Sequence, residues 1–291
     1  MNKTVYDFVS EASIRRLFDD AIDEDGARSD LTSLYTIDEN ARGIARIRAK
    51  QELVLCGIDA AALFFKWFDP TAQFEKLRND GDVLVKGDVA ATITGSMRTL
   101  LAVERSALNL LQHLSGIATK TGAFVSLISG TGAKMLDTRK TLPGYRMLQK
   151  YAVYCGGGEN HRLGLHDAVL IKDNHVESAG GVGRAVILAR TKGGPDLFIE
   201  VEVRTPQELE EAMDAGADRA LLDNMSPEVM RRCVGMAKGR ISTEASGNVD
   251  IGNVAEIAAT GVDYISSGAL THSPKAADLN MKIEPIPSGQ S

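Results

Sequence analysis

The sequence contains few cysteines and few prolines, and each shortage excludes a class of protein. The three cysteines, Cys56, Cys155 and Cys233, are an odd number, lie far apart and form no C-x-x-C pair. They predict neither a disulfide framework nor a thiolate zinc site, so we expect reduced structural thiols. With 8 Pro against 28 Gly, and with 44% hydrophobic and 25% charged residues, the 291 residues predict one large or two modest folded domains rather than a disordered chain.

Long hydrophobic runs are also missing. Residues Met1 to Ser13 include Asp7 and Glu11 and no apolar signal-peptide core, and the most apolar later stretch, Ala60 to Phe68, is short and interrupted by Lys66. We therefore expect a cytoplasmic protein with no membrane partner. The formal net charge of −6 repels polyanions at long range, so we expect no nucleic-acid partner either.

Two nucleotide-binding signatures are absent or incomplete. The phosphate-loop pattern G-x-x-x-x-G-K-[ST] does not occur. Gly181-Val182-Gly183 lacks the third glycine of a dinucleotide fingerprint, and no strand is predicted immediately before it. The sequence therefore supports neither nucleotide hydrolysis nor a Rossmann site.

Against this acidic background, one segment is cationic. Its basic residues outnumber its acids, which are Asp137, Glu159 and Asp167. The basic residues are Arg139, Lys140, Arg146, Lys150, Arg162 and Lys172. In an acidic protein such a local cluster predicts a site for an anionic ligand.

The first third of the chain predicts helices and short antiparallel strands. A helical face carrying Ile14, Phe18 and Ile22 ends before Gly26, and further helices are predicted over Ile58 to Phe68 and Met97 to Leu114. Strands are predicted at Ile44 to Lys50, Val54 to Cys56, Phe74 to Leu77 and Asp82 to Thr94, separated by glycines.

From about Gly130 the pattern changes to apolar strands that alternate with helices, which indicates a parallel sheet or barrel. The predicted strands are Ala133 to Leu136, Ala168 to Ile171, Leu197 to Val203, Arg219 to Leu222, Arg240 to Thr243 and Asp263 to Ile265. Polar residues follow each strand, where a β/α barrel builds its active site. Six strands alone do not establish a closed eight-stranded barrel.

The alternation in Leu197 to Val203 puts Glu200 and Glu202 on the same face of one strand. Two carboxylates in one buried space are costly without a cation, so a metal or basic residues are expected nearby.

Several motifs occur together in this second part. They are Glu104-Arg105-Ser106-Ala107-Leu108-Asn109, Asp137-Thr138-Arg139-Lys140, Gly158-Glu159-Asn160-His161-Arg162, Ile171-Lys172-Asp173-Asn174-His175, Leu222-Asp223-Asn224, Glu244-Ala245-Ser246-Gly247-Asn248 and Ser266-Ser267-Gly268-Ala269. Over nearly its whole length the chain resembles the quinolinate phosphoribosyltransferase family, also called carboxylating nicotinate-nucleotide pyrophosphorylase.

The resemblance implies an α/β protein with two domains. An N-terminal α/β sandwich domain is expected over residues 1–110, with the tail 274–291 packed back on it. An incompletely closed, seven-stranded α/β barrel is expected over residues 111–273. It also implies a homodimer in which Arg105 reaches the neighbouring site, with a higher assembly of dimers as an option.

The resemblance further implies that the enzyme joins quinolinate to phosphoribosyl pyrophosphate with loss of carbon dioxide and pyrophosphate. The implied anion-binding residues are Arg105, Thr138, Arg139, Lys140, His161, Arg162 and Lys172. Glu202 and Asp223 are implied to hold the ribose hydroxyls and Mg²⁺, and the catalytic set is Lys140, Lys172, Glu202 and Asp223. The 5′-phosphate loops are Ser246-Gly247-Asn248 and Ser267-Gly268-Ala269.

Two other functions are compatible with the same fold. A paralogue associated with molybdenum transport operons departs from the family around the Lys172 motif, which is intact here. A non-catalytic phosphosugar-binding barrel retains the glycine loops but loses part of the charged set, and none of that set is missing. Glu200, His175 and Glu244 fit either a functional or a core-lining role.

Overall fold

The computed structural model describes residues 3–287 and divides the chain into two compact units. Unit 1 comprises the described parts of Met1–Gly122, Pro143–Gly157 and Pro274–Ser291. Unit 2 comprises Ala123–Leu142 and Gly158–Ser273. The first two residues of the predicted N-terminal domain, and residues 288–291 of the predicted tail, lie outside the described residues.

The helices and strands alternate along the chain, most regularly in unit 2. The helices are α1 (Glu11–Glu24), α2 (Leu31–Thr36), α3 (Ile58–Phe68), α4 (Met97–Leu127), α5 (Arg146–Cys155), α6 (Asp173–Ala179), α7 (Val182–Gly193), α8 (Pro206–Asp214), α9 (Pro227–Ala237), α10 (Val254–Ala258) and α11 (Ala269–His272). The strands are β1 (Arg42–Ala49), β2 (Leu53–Val54), β3 (Gln73–Lys76), β4 (Val83–Leu84), β5 (Val89–Ser96), β6 (Lys134–Leu136), β7 (Val169–Ile171), β8 (Ile199–Val203), β9 (Arg219–Asp223), β10 (Ser242–Ser246), β11 (Tyr264–Ser266) and β12 (Leu279–Pro285). Within residues 3–287, no helix is both long and apolar enough to cross a bilayer.

Unit 1 contains a four-stranded antiparallel sheet in the order β12-β1-β5-β3. Alternate residues of β1 are buried, including Ala45 and Ile47, because side chains of a strand point to opposite faces. The predicted strand over Asp82 to Thr94 is two strands, β4 and β5. Gly87, with a φ of 102°, makes the turn between them.

Unit 2 contains a six-stranded parallel sheet in the order β6-β11-β10-β9-β8-β7. The helices after β8 and β9 begin at capping residues, since Thr205 and Ser226 each accept a hydrogen bond from a backbone N–H of the first turn. The predicted strand over Arg240 to Thr243 was placed too early. Arg240 N and Ile241 N still donate to Ala237 O, so this segment closes the last turn of α9 before β10 begins.

The parallel sheet is an incompletely closed barrel. Glu159 forms an isolated parallel bridge with Leu136 on the outer side of β6, and this single bridge stands where the resemblance implied a seventh strand. Among the described residues, no pairing joins Glu159 to β7 at the other edge. The opening lies between these two edges.

The predicted boundary at residues 110 and 111 lies inside α4, whereas the compact units separate at Gly122 and Ala123. Unit 1 also includes Pro143–Gly157, which carries α5. Strand β12 pairs with β1 along its length. The domain ranges expected from the sequence stay predictions.

Candidate active site

A cavity of about 800 Å³ lies in unit 2, at the carboxyl ends of the parallel strands. It brings together every predicted site residue except Arg105. These residues are Thr138, Arg139, Lys140, His161, Arg162, Lys172, Glu202, Asp223, Ser246, Gly247, Asn248, Ser267, Gly268 and Ala269. Arg105 is an exposed residue of α4 in unit 1.

Several lining residues were not predicted. They are Leu170, Leu221, Asn224, Val249, Asp250, Ser266 and His272. Glu244, for which the sequence left a functional and a core-lining role open, lines the cavity as well. Asn224 belongs to the motif Leu222-Asp223-Asn224, and its position just beyond a predicted strand could have identified it as a cavity residue. Nothing in the spacing of His272 connected it with the other strand ends.

One side of the cavity is cationic. Arg139 and Arg162 each have a buried Nε without a hydrogen-bond partner among the described residues. Burial lowers the pKa of Arg162, and the neighbouring Arg139 lowers it further. Two partly desolvated guanidinium groups side by side make a site that favours an anion, and their planar shape suits carboxylates.

Three acids surround Arg204 next to the cavity, and two of them, Glu202 and Asp223, line it. Arg204 Nη2 lies 3.1 Å from Asp173 Oδ2 and 3.3 Å from Glu202 Oε1, and Arg204 Nε lies 3.8 Å from Asp223 Oδ2. Burial raises the pKa of Glu202, and the charges of Asp223 and Asp173 add to that rise. The carboxylates of Glu202 and Asp223 provide oxygen atoms of the kind that hard divalent cations prefer.

The backbone just after β9 and just after β10 is held in an unusual conformation. Asn224 and Asn248 have φ values of 52° and 51°, and Asn248 Nδ2 donates to Asn224 Oδ1 at 3.0 Å. Gly247 has a φ of 95°, and a Cβ there would collide with the Asn224 carboxamide. Only glycine combines that φ with that space, so backbone groups at the end of β10 stay accessible to a ligand.

Lys140 is held by the loop that follows β11. The hydroxyl of Thr271 donates to Lys140 O at 2.7 Å, and a Cβ added to Gly268 would lie 2.7 Å from Lys140 Cδ. The side chain of Lys140 therefore passes directly over the loop Ser267-Gly268-Ala269.

In the wall of the cavity, His161, Glu200 and Glu244 form a compact cluster whose ligand atoms lie within 4.8 Å of one another. This geometry is compatible with a metal ion. Arg219 Nη1 already lies 3.4 Å from Glu244 Oε2, so the cluster has a built-in cation. Burial, and then the charge of Glu200, raise the pKa of Glu244 to about 8.

Glu244→Gln is expected to change the pH dependence of stability. The pKa of Glu244 is raised from 4.5 to about 8 on folding, so its contribution is full below pH 4.5 and is lost as the pH rises through 8. In this window the wild type should lose up to about 1.4 kcal/mol per pH unit through this one group, and the variant should not. Urea unfolding at several pH values measures the difference.

The control variant is Glu210→Gln, which removes an exposed acid paired with Arg240. Its stability should follow the wild-type pH curve. Parallel curves for wild type and Glu244→Gln would show that Glu244 does not take up a proton on folding.

Comparisons with known proteins agree with this architecture. The chain matches the model of the quinolinate phosphoribosyl transferase N-terminal domain over residues 30–115 and that of the C-terminal domain over residues 117–282. It is 41% identical over 275 residues to a probable carboxylating nicotinate-nucleotide pyrophosphorylase of Bacillus subtilis, covering 94% of this chain and 95% of that one.

Solved structures give the same result. NadC from Streptococcus pyogenes superposes with a TM-score of 0.92 at 39% identity, covering 96% of this chain and 99% of that chain. The nicotinate-nucleotide pyrophosphorylase from Francisella tularensis superposes with a TM-score of 0.92 at 41% identity, covering 97% and 98%. With two matching domain models and identities near 40% over almost the full length, the chain belongs to the quinolinate phosphoribosyl transferase family.

Proposed function

We propose that this chain transfers the phosphoribosyl group of phosphoribosyl pyrophosphate to quinolinate, releasing carbon dioxide and pyrophosphate and giving nicotinate mononucleotide for NAD biosynthesis. The observation that carries the proposal is one cavity that combines guanidinium groups, lysines, carboxylates and two glycine loops. The names of the relatives from Bacillus subtilis and Francisella tularensis support it.

Quinolinate is recognised by its two adjacent carboxylates. Arg139 and Arg162 bind them through charge-assisted hydrogen bonds, with Thr138 and His161 on the same side of the cavity. Each such bond contributes about 1.5–3 kcal/mol, which decides binding in a protein whose net charge is negative. The arginine pair also holds the pyridine nitrogen in one orientation toward the sugar.

The phosphoribosyl group is held at its two ends. Ser246-Gly247-Asn248 and Ser267-Gly268-Ala269 bind the 5′-phosphate through backbone N–H groups, as in other barrel phosphate sites. Glu202 and Asp223 bind the ribose hydroxyls. Lys140 and Lys172 stabilise the negative charge that grows on the departing pyrophosphate, while the ring nitrogen attacks C1 of the ribose.

Decarboxylation follows from the same positioning. Once the ring nitrogen is quaternised, it stabilises the carbanion that loss of carbon dioxide leaves at C2. The chain's contribution is alignment and electrostatics, and no covalent intermediate with the protein is needed.

Mg²⁺ is the proposed cofactor, with Glu202 and Asp223 as the residues that hold it, directly or through water and substrate. The raised pKa of Glu202 supports this, because nearby acids cause part of the rise and a divalent cation relieves their repulsion. When bound, the ion supplies charge neutralisation for the pyrophosphate oxygens.

The proposed assembly is a cytoplasmic homodimer in which Arg105 enters the neighbouring site, with dimers able to associate further. The exposure of Arg105 on α4, and its position in a motif shared with the family, support this. A closed two-fold dimer would use the same surface on both subunits.

The decisive assay mixes the purified protein with quinolinate, phosphoribosyl pyrophosphate and Mg²⁺ and follows products by mass spectrometry. We expect nicotinate mononucleotide and carbon dioxide in equal amounts. Tight phosphosugar binding with neither product would favour the molybdenum-operon paralogue or a non-catalytic barrel instead.

Gly247→Ala is expected to weaken phosphosugar binding at least about tenfold, because a left-handed backbone costs alanine about 1–2 kcal/mol and its Cβ displaces Asn224. Calorimetry with ribose 5-phosphate measures the affinity. Gly216→Ala is the matched control, since Gly216 has a φ of 83° and open space around its Cβ. It should lose some stability and keep the affinity, and equal affinities for both variants would contradict a phosphate role for the Gly247 loop.

A further inference from the structure

The cluster of His161, Glu200 and Glu244 in the cavity wall contains two buried acids to which the proposed chemistry gives no role. Glu200 is 2% exposed and Glu244 is fully buried. The Oε1 atom of each has no hydrogen-bond partner among the described residues. Burying two carboxylates so close together is costly, so their orientation toward a shared partner is informative.

That partner is His161, and its contacts fix its tautomer. His161 Nδ1 accepts a hydrogen bond from the backbone N–H of Arg162 at 2.7 Å, so Nδ1 holds no proton. The ring proton is therefore on Nε2. This atom lies 3.0 Å from Glu200 Oε2 and 3.6 Å from Glu244 Oε2.

Arg219 restricts the position of one of these acids, Glu244. Arg219 Nη1 lies 3.4 Å from Glu244 Oε2, and Arg219 Nε donates to Ser242 Oγ at 3.3 Å. The Arg219 guanidinium lies 3.8 Å from the centre of the Tyr264 ring, a cation–π contact that restricts its movement. The arginine and the two carboxylates therefore form a fixed base for the imidazole.

On its other side, the His161 ring contacts Arg162. The backbone N–H of Arg162 donates to His161 Nδ1, and Arg162 Nη1 donates to Ala168 O at 3.1 Å. The backbone N–H of His161 donates to the buried Asp137 at 2.9 Å. These contacts leave Arg162 on the cavity lining, with a buried Nε that has no hydrogen-bond partner among the described residues.

We propose that Glu200 is a positioning residue for quinolinate binding: it accepts from Nε2–H of His161 and so holds that tautomer, Glu244 adds a second acid near the same atom, and His161 Nδ1 holds the main chain of Arg162. This inference rests on the proposed function. In this arrangement His161 acts through Arg162 and contributes no cation of its own, which differs from the role that the family resemblance implied.

Two substitutions of Glu200 test the proposal. Glu200→Met removes both acceptor oxygens at similar length and should raise the dissociation constant for quinolinate about tenfold or more, the scale of one charge-assisted hydrogen bond. Glu200→Gln keeps an acceptor for Nε2–H and should show a smaller rise. Calorimetry with phosphoribosyl pyrophosphate alone should give an unchanged affinity for both, because Arg162 does not bind it.

Glu210→Gln, an exposed acid on α8, is the control and should bind both ligands as the wild type does. General damage to the fold would lower the affinities for quinolinate and for phosphoribosyl pyrophosphate together. An unchanged quinolinate affinity in Glu200→Met, or an equal loss for both ligands, would overturn the proposal.

A second measurement reads the His161 tautomer in the wild type itself and uses a variant only to assign the signals. The chain has five histidines, and ¹⁵N spectra of the wild type compared with His161→Gln identify the His161 ring signals. We expect the Nε2–H tautomer at neutral pH, and an Nδ1–H tautomer or an imidazolium would overturn the proposal. A wild type that binds neither substrate would instead contradict the proposed function, on which the inference depends.

Discussion

Lys172→Ala is expected to fold as the wild type does and to lose at least about a hundredfold to a thousandfold in turnover, the effect of removing one preorganised charge from a reacting anion. Lys172 lines the cavity at the end of β7, where α6 begins, and its backbone N–H donates to His175 Nδ1 at 3.0 Å. Lys140→Ala should show a similar loss, since Lys140 lies over the second glycine loop. Steady-state assays with the mass-spectrometric readout measure both.

The matched control is Lys192→Ala, which removes an exposed lysine from the last turn of α7. Its turnover should equal that of the wild type. Near wild-type turnover in either purified active-site variant, with an unchanged circular dichroism spectrum, would refute the assigned roles.

Mixing Arg105→Ala subunits with Lys172→Ala subunits is expected to restore activity that neither variant has alone. In a hybrid dimer, the Arg105→Ala subunit keeps its own Lys172 and receives Arg105 from its neighbour, so one site is complete. The other site lacks both residues. Activity measured before and after subunit exchange gives the result.

Subunit exchange must be shown independently, for example by mass spectrometry of isotopically labelled and unlabelled subunits. A mixture of Arg105→Ala with Arg105→Ala carrying the label is the control and should stay inactive. If hybrids form and no activity returns, the shared site is wrong.

Local sequence patterns predicted residues that the structure brings together at the strand ends, and they ended α4 too early. Alternation in β8 predicted that Glu200 and Glu202 share one face and need a cation nearby. The charge of Arg219 lowers the pKa of Glu200 against the rise that burial causes, and Arg204 pairs with Glu202. The glycine loops were recognisable because glycine marks backbone that other residues do not adopt. These signals depend only on neighbouring residues in the sequence, so they can be recognised before the packing of the chain is known.

The residues that were missed depend on contacts made after folding. Arg204 lies beyond the end of β8, and only the folded loop directs its guanidinium toward Asp173 and Asp223. The continuation of α4 to Leu127 was missed because the predicted apolar stripe was followed only to Leu114. The division at Gly122 and Ala123 within that helix has no composition signal.

The pairing of β1 with β12 has a consequence for how the protein is made. Arg46 pairs with Lys282, and every strand of the parallel sheet is synthesised between them. While a ribosome is still translating unit 2, the hydrogen-bonding edge of β1 that β12 will occupy has no partner from its own sheet. Contacts this distant in sequence form slowly, and an unpaired strand edge favours aggregation. The nascent chain is therefore most vulnerable just before its last strand emerges, when a chaperone that shields strand edges would be of most use.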